Sequence, residues 1–284
     1  MNLIKKQEIK RKLHIQDRLM EHYFRAKSLG YEVFAIIIQG SQNYNMDKYD
    51  PNVYVSDIDT RCIVLPKFDD FCKKVDGISF TYEFPENKEH IDIKDIENMF
   101  SLWKKANVQF LELLFSDYYY VPDKYKGYWD RLREMGEKIV KEHKSSLYNA
   151  IYGMAMQKYE ALTHPYPTIK WKIDKFGYDP KQAHHIYRLY HFITDYQNTG
   201  SFKNSLVPKD EIIDYLINMK IDGLDWNVNE VKFNCKSTCN MIKEIKDKQI
   251  EMYGKDESPF ETDTILDNMR VDILKEWFRE EINK

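Results

Sequence analysis

The apolar run 33–38, closed by Gln39-Gly40-Ser41, limits the fold of this chain more than any other stretch. Such a run reads as a central, buried strand. It stops at a tight turn, where the missing glycine side chain lets a ligand approach the backbone. A loop later comes Ser56-Asp57-Ile58-Asp59-Thr60-Arg61. Asp57 and Asp59, at period two on the next apolar strand, point to the same face. Two carboxylates so close repel each other unless a cation lies between them, and oxygen ligands of this kind suit Mg2+ or Mn2+. The chemistry indicated is metal-assisted phosphoryl transfer.

Around these segments the pattern predicts an α+β protein. An amphipathic helix over 5–29 stops at Gly30 as a C-cap. Strands follow over 33–39, 58–65, 78–84 and 89–93, with a further strand-like run at 110–115. Asp95 reads as the N-cap of a helix from Ile96. Tyr118-Tyr119-Tyr120 reads as an edge strand or packing. Beyond Pro122 the period becomes helical, over 125–162, 180–197, 210–219, 228–252 and 260–282. Breakers at His164-Pro165-Tyr166-Pro167 and at Gly177 separate the first two. The expected division is a small mixed sheet flanked by helices over 1–122, then a helical domain over 123–284.

At 284 residues, 43% hydrophobic and 31% charged, the chain can bury a substantial core in one or two domains. A net charge of −3 gives no global field to gather nucleic acid, although Lys5 to Lys12 is locally basic. No apolar run reaches the roughly 18–20 residues needed to cross a bilayer, and Met1 to Lys6 lacks a signal-peptide core, so a cytoplasmic protein is expected. Four cysteines, Cys62, Cys72, Cys235 and Cys239, are too few and scattered for a disulfide framework and are expected as free thiols.

The helix announced by Asp179-Pro180 has an Asp N-cap and proline at its first position. Lys181, His184 or His185, and Arg188 recur along it at three- and four-residue spacing. They give one face with phosphate-binding potential: Arg188 as a bidentate clamp, Lys181 as a point charge. Lys158, Tyr152 and Tyr159 on the preceding helix are candidates for a further phosphate contact and for stacking or packing. Glu112, a carboxylate in an apolar run, needs a partner, and Arg61 is the one considered.

Gly40-Ser41 followed by Asp57-Ile58-Asp59 resembles the signature of the DNA polymerase beta-type nucleotidyltransferase superfamily. The segment 107–114 and the helix from Lys181 to Leu189 resemble its branch of predicted nucleotidyltransferases linked to RNA repair, the likeness spanning roughly 33–200. The resemblance implies transfer of a nucleoside monophosphate from an NTP, such as ATP, with release of pyrophosphate. It also implies a third carboxylate on a later strand. Asp92, in His90-Ile91-Asp92-Ile93, has the expected form, Glu83 is the fallback, and Asp95 is better used as a cap. Three such carboxylates would hold two ions about 4 Å apart. Gly40, Ser41 and Tyr44 would then lie at the nucleotide phosphates, with Lys181, His184 and Arg188 as further nucleotide contacts. One departure is Asn45, which stands where the family has glycine; asparagine tolerates positive φ better than most residues. The acceptor implied is an RNA end, but no RNA-binding module is recognisable, so a protein or small molecule stays open. Two rival readings are a catalytically silent nucleotide or RNA sensor and an antitoxin-like transferase that modifies a partner protein.

Overall fold

The computed structural model describes residues 3–52, 54–257 and 259–283, with side chains from Gln7 onward. Met1, Asn2 and the side chains of Lys5 and Lys6, part of the basic segment and of the leader reading, lie outside the described part. Element order begins α1 (Leu3–Ser28), β1 (Glu32–Gln39), a 3-10 turn (Ser41–Tyr44), β2 (Tyr49–Asp50), β3 (Tyr54–Val55), β4 (Asp59–Leu65), α2 (Phe68–Cys72), β5 (Ser79–Glu83), β6 (His90–Asp95) and α3 (Ile96–Lys104). It continues with α4 (Val108–Leu111), a 3-10 turn (Glu112–Phe115), β7 (Tyr119–Tyr120), α5 (Lys126–Glu142), α6 (Lys144–Ala161), α7 (Lys170–Phe176) and α8 (Pro180–Thr199). The last elements are α9 (Phe202–Leu206), α10 (Asp210–Asp222), α11 (Val228–Tyr253) and α12 (Glu261–Ile282). The fold is α+β. Among the described residues, no helix is long and apolar enough to cross a membrane.

The chain divides into two compact units that do not follow the expected break at 122. One takes 1–105, 109–139 and 258–284, the other 106–108 and 140–257. Thus α12 belongs with the sheet. Its Trp277 indole N–H donates to the Pro66 carbonyl at 2.8 Å, and Glu281 accepts from the Phe68 N–H at 2.7 Å. Further along, Arg270 pairs with Glu97 and Asp267 with Lys104.

In the first unit, five strands among the described residues form a mixed sheet in the order β5-β6-β4-β1-β7. β4 runs parallel to β6, and the other neighbours are antiparallel. β1 is an interior strand between β4 and β7, as its unbroken apolar run requires, with Val33 to Ile38 all buried. A bulge between Val33 and Ala35 shifts its alternation. Val33, Ile36 and Ile38 join Ile15, Leu19, Tyr23 and Ala26 of α1 in one core layer. Phe34 instead meets the rings of Tyr125 and Trp129. Tyr119–Tyr120 is the edge strand on β1.

The expected strand over 110–115 is a helical segment. A short apolar run, buried at every position, has no period to separate strand from helix. Here the Trp103 indole N–H binds the Phe110 carbonyl at 2.9 Å, and β7 already occupies the edge of β1. The expected helix 125–162 is also broken, at His143 (φ −101°, ψ 38°). Asp256 explains the restart, since its carboxylate accepts from the first N–H groups of α6, Ser145 and Ser146, both at 2.7 Å. The short helices α2, α7 and α9 were not anticipated.

The second unit packs α6, α8, α10 and α11 around Leu147, Ile151, Ile186, Leu189, Val231 and Ile242. α8 starts as its sequence dictates: Asp179 accepts from the Lys181 N–H at 3.1 Å and Pro180 takes the first position. The four cysteines are free thiols, with Cys62, Cys235 and Cys239 buried.

Candidate active site

Antiparallel pairing sets Gln39, the last residue of β1, opposite Asp59, the first of β4. The Gly40-Ser41 turn and the aspartate segment therefore meet the sheet at the same end. Gly40 adopts φ +92° and ψ −145°, a region that side-chain-bearing residues avoid. The space around it is open, so backbone angle alone calls for glycine. One 3-10 turn follows and closes at Asn45 in the left-handed conformation (φ 56°, ψ 30°). Asparagine here adopts a conformation that glycine enters most readily and that asparagine tolerates better than most residues.

Side chains lock this turn to the aspartates and to the sheet. Gln42 Nε2 donates to the Asp57 carbonyl at 2.7 Å, and Asn43 Nδ2 to the Ile38 carbonyl at 2.8 Å. Ser116 donates to Asn43 Oδ1 at 2.7 Å. Tyr44 is buried and hydrogen-bonded through its hydroxyl to Glu112, so its role in the turn is internal. Glu112 thereby has a partner, and its charge also acts on Arg61.

Asp57 is exposed in the loop just before β4, while Asp59 is half-buried at the strand start. Asp59 Oδ1 accepts from the His90 backbone N–H at 3.0 Å and lies 3.1 Å from His90 Nδ1. Tyr54, on β3, which pairs antiparallel with β2 before the aspartates, is raised in pKa by partial burial and then by the Asp57 charge, with Ser56 opposing. One step further along the sheet, parallel pairing places Asp92 beside Arg61. The two form an ion pair with side-chain exposures of 25% and 6%. The Arg61 guanidinium also donates to Gln39 Oε1 at 3.0 Å and lies over the Phe110 ring at 4.5 Å. Burial lowers the Arg61 pKa, against the raising effect of Asp92 and Glu112.

Of the carboxylates named from sequence, Asp57 and Asp59 share the sheet end with Gly40 and Ser41, whereas Asp92 is engaged by Arg61. Glu83 is exposed at the end of β5, 3.7 Å from His90 Nε2. Asp95 caps α3, accepting from the Asn98 and Ile78 N–H groups, both at 2.7 Å. Among the described residues, no group of three or more His, Cys, Asp or Glu side chains is arranged to hold a metal ion. Gln39, Gln42 and His90 carry no local signal of a role in the site, since only strand register, and for Gln42 the turn after β1, brings them to the aspartates.

Within the second unit, α8 carries Lys181, exposed, and Arg188, buried. Their charges converge on Lys158, whose pKa is lowered by burial first and then by Lys181 and Arg188. His185 is pushed well down by burial and by the positive groups around it. His184 differs from the sequence expectation of a nucleotide contact. At 4% exposure its Nδ1 meets the Leu216 carbonyl at 2.8 Å, fastening α8 to α10.

No family model matches the chain, and no curated protein matches it. A solved structure of a nucleotidyltransferase-like protein from Exiguobacterium sibiricum 255-15 is similar over 93% of this chain and 91% of that one, at 10% identity and a TM-score of 0.29. At that distance the functional reading rests on the residues of this chain.

Proposed function

We propose that the chain is a nucleotidyltransferase that moves a nucleoside monophosphate from an NTP to an acceptor and releases pyrophosphate. The observation that carries this reading is the Gln39–Asp59 register, which brings a positive-φ glycine turn and two accessible aspartates to one sheet end. Two aspartates fit a hard divalent cation, since Mg2+ is commonly held by one or two carboxylates and completed by substrate phosphates and water. Such a cation, when bound, neutralises phosphate charge and lowers the pKa of the acceptor hydroxyl. Asp57 and Asp59 would hold it. Backbone N–H groups of the Gly40-Ser41 turn suit phosphate oxygens. The acceptor oxygen bonds to the α-phosphorus, the α–β anhydride bond breaks, and the acceptor proton passes to solvent. Lys158, Lys181 and Arg188 offer phosphate contacts within the second unit.

One observation favours a second reading. Asp92 is held by Arg61, which suits a nucleotide-binding protein that has lost turnover. Both readings are tested by incubating the protein with each labelled NTP, Mg2+ or Mn2+, and short RNAs, an RNA end being the first acceptor to try. Metal-dependent pyrophosphate release, absent from the Asp57→Asn variant, supports the enzyme. Nucleotide binding without release supports the silent form, and absence of binding overturns both.

A further inference from the structure

The face of β4 turned away from Asp59 carries a buried polar network. On α1, Ile15, Leu19 and Ala26 form an apolar stripe into which His22 falls, with no exposure at all. Its Nδ1 lies 3.0 Å from the Thr60 hydroxyl and its Nε2 3.1 Å from Glu89 Oε2. Arg18 Nε donates to the same Glu89 oxygen at 2.7 Å. The other oxygen, Oε1, accepts from the Ile58 backbone N–H at 3.3 Å. Phe84 covers the group, stacked on His22 at 4.4 Å and under the Arg18 guanidinium at 5.5 Å. Glu89 is only 5% exposed. Burial alone would raise its pKa, but hydrogen bonds from His22 and Arg18 outweigh this and hold it below the ordinary range.

The residues grasped are Ile58 and Thr60, one on each side of Asp59. Alternation along a strand puts their side chains on the α1 face and Asp59 on the other. Fixing both neighbours of a residue fixes its own Cα–Cβ direction. A buried charge pair is weak evidence of added stability, because desolvation offsets attraction; an apolar contact would fasten α1 as well. Glu89 is also the residue before His90, whose N–H Asp59 accepts.

We propose that Glu89, with His22 and Arg18, is a positioning residue for the candidate site: it holds the Ile58 N–H directly and the Thr60 hydroxyl through His22, so that Asp57 and Asp59 are aimed at their ligand. This rests on the nucleotidyltransferase reading for its consequence in turnover, but not for its geometry.

The test compares Glu89→Gln and Glu89→Ala with Leu19→Ala, which loosens α1 without touching the network. Mn2+ affinity by electron paramagnetic resonance, kcat and KM are read well below each melting temperature, with amide hydrogen exchange of residues 55–62. The Glu89 variants are expected to lose about 10- to 100-fold in Mn2+ affinity or kcat, the scale of outer partners of metal ligands. Glu89→Gln is expected to recover part of the loss in Glu89→Ala, and the Ile58 amide to lose protection in Glu89→Ala alone. Equal losses in Leu19→Ala at matched stability would overturn the proposal by reducing the network to a fastener. If the wild-type protein neither turns over an NTP nor binds Mn2+, the functional reading falls. Amide exchange then decides the positioning alone: selective loss at Ile58 sustains it, and unchanged or uniform exchange overturns it.

Discussion

Arg61 and Asp92 occupy paired positions on parallel strands and form an ion pair in which the guanidinium is almost wholly buried and the carboxylate only partly so. Arg61 lies two residues inward from Asp59 on β4, and Asp92 faces it from β6. Its cationic half already has a second carboxylate, Glu112, acting on it.

Removing one partner leaves a buried charge. Asp92→Ala is expected to destabilise the first unit by about 3 kcal/mol, and Arg61→Met/Asp92→Leu to recover most of that. Urea unfolding of Asp92→Ala, Asp92→Leu, Arg61→Met and the double variant measures both, and additive losses of Asp92→Leu and Arg61→Met in the double would show that the pair is not coupled.

Asn45 sits at φ 56°. Asn45→Gly is expected to leave stability within roughly 0.5 kcal/mol of wild type, whereas Asn45→Val should cost about 1–2 kcal/mol because a branched residue resists the left-handed region. A valine variant as stable as the wild type would refute the conformation.

In the second unit, burial acts to raise the Asp256 pKa, but hydrogen bonds from Ser146 and Ser145 outweigh it and the pKa is lowered. A carboxylate with a depressed folded-state pKa stabilises above its unfolded pKa, about 3.9, and loses that contribution as pH falls through the folded value. Asp256→Asn is expected to cost roughly 1 kcal/mol at pH 6 after solvent screening, and close to nothing at the lowest pH at which the chain still folds. Chemical unfolding at the two pH values gives the comparison; an equal deficit at both would contradict it.

His184 titrates in the other direction of charge. Burial, opposed by its bond to the Leu216 carbonyl, lowers its pKa to about 3, so the folded protein keeps the ring neutral. The unfolded chain takes up a proton below about pH 6.5, and stability falls from there toward pH 3 by up to about 1.4 kcal/mol per pH unit from this group. His184→Gln should flatten the dependence between pH 7 and pH 5. A slope unchanged by the substitution would place the titrating group elsewhere.

What could be read in the sequence follows from how local each signal is. β1, the Gly30 stop, the Asp95 cap and the Asp179-Pro180 helix start are written in adjacent residues, and the structure has them. The segment 110–115 was misread because an apolar run that is buried throughout has no alternation to display. The Gly40 turn and the paired aspartates were visible as a motif. The partners that hold them, Gln42 on the Asp57 carbonyl and Glu89 on the Ile58 N–H, come from segments far apart in the sequence that only the fold brings together. His22 left a trace, a polar residue on an apolar helical stripe. His184 misled because an imidazole at cationic spacing looks alike whether it faces solvent or a carbonyl on the next helix.

The return of α12 to the sheet has a consequence for biosynthesis. A ribosome makes every residue of the helical unit before it makes Trp277 and Glu281, on which Pro66 and Phe68 depend. The part of the chain that begins first is completed last, through contacts more than 200 residues apart in sequence. Such contacts are slow to close. Until the last helix emerges, the nascent sheet keeps the Pro66 carbonyl and the first N–H of α2 in water, and it is there that a chaperone would find it.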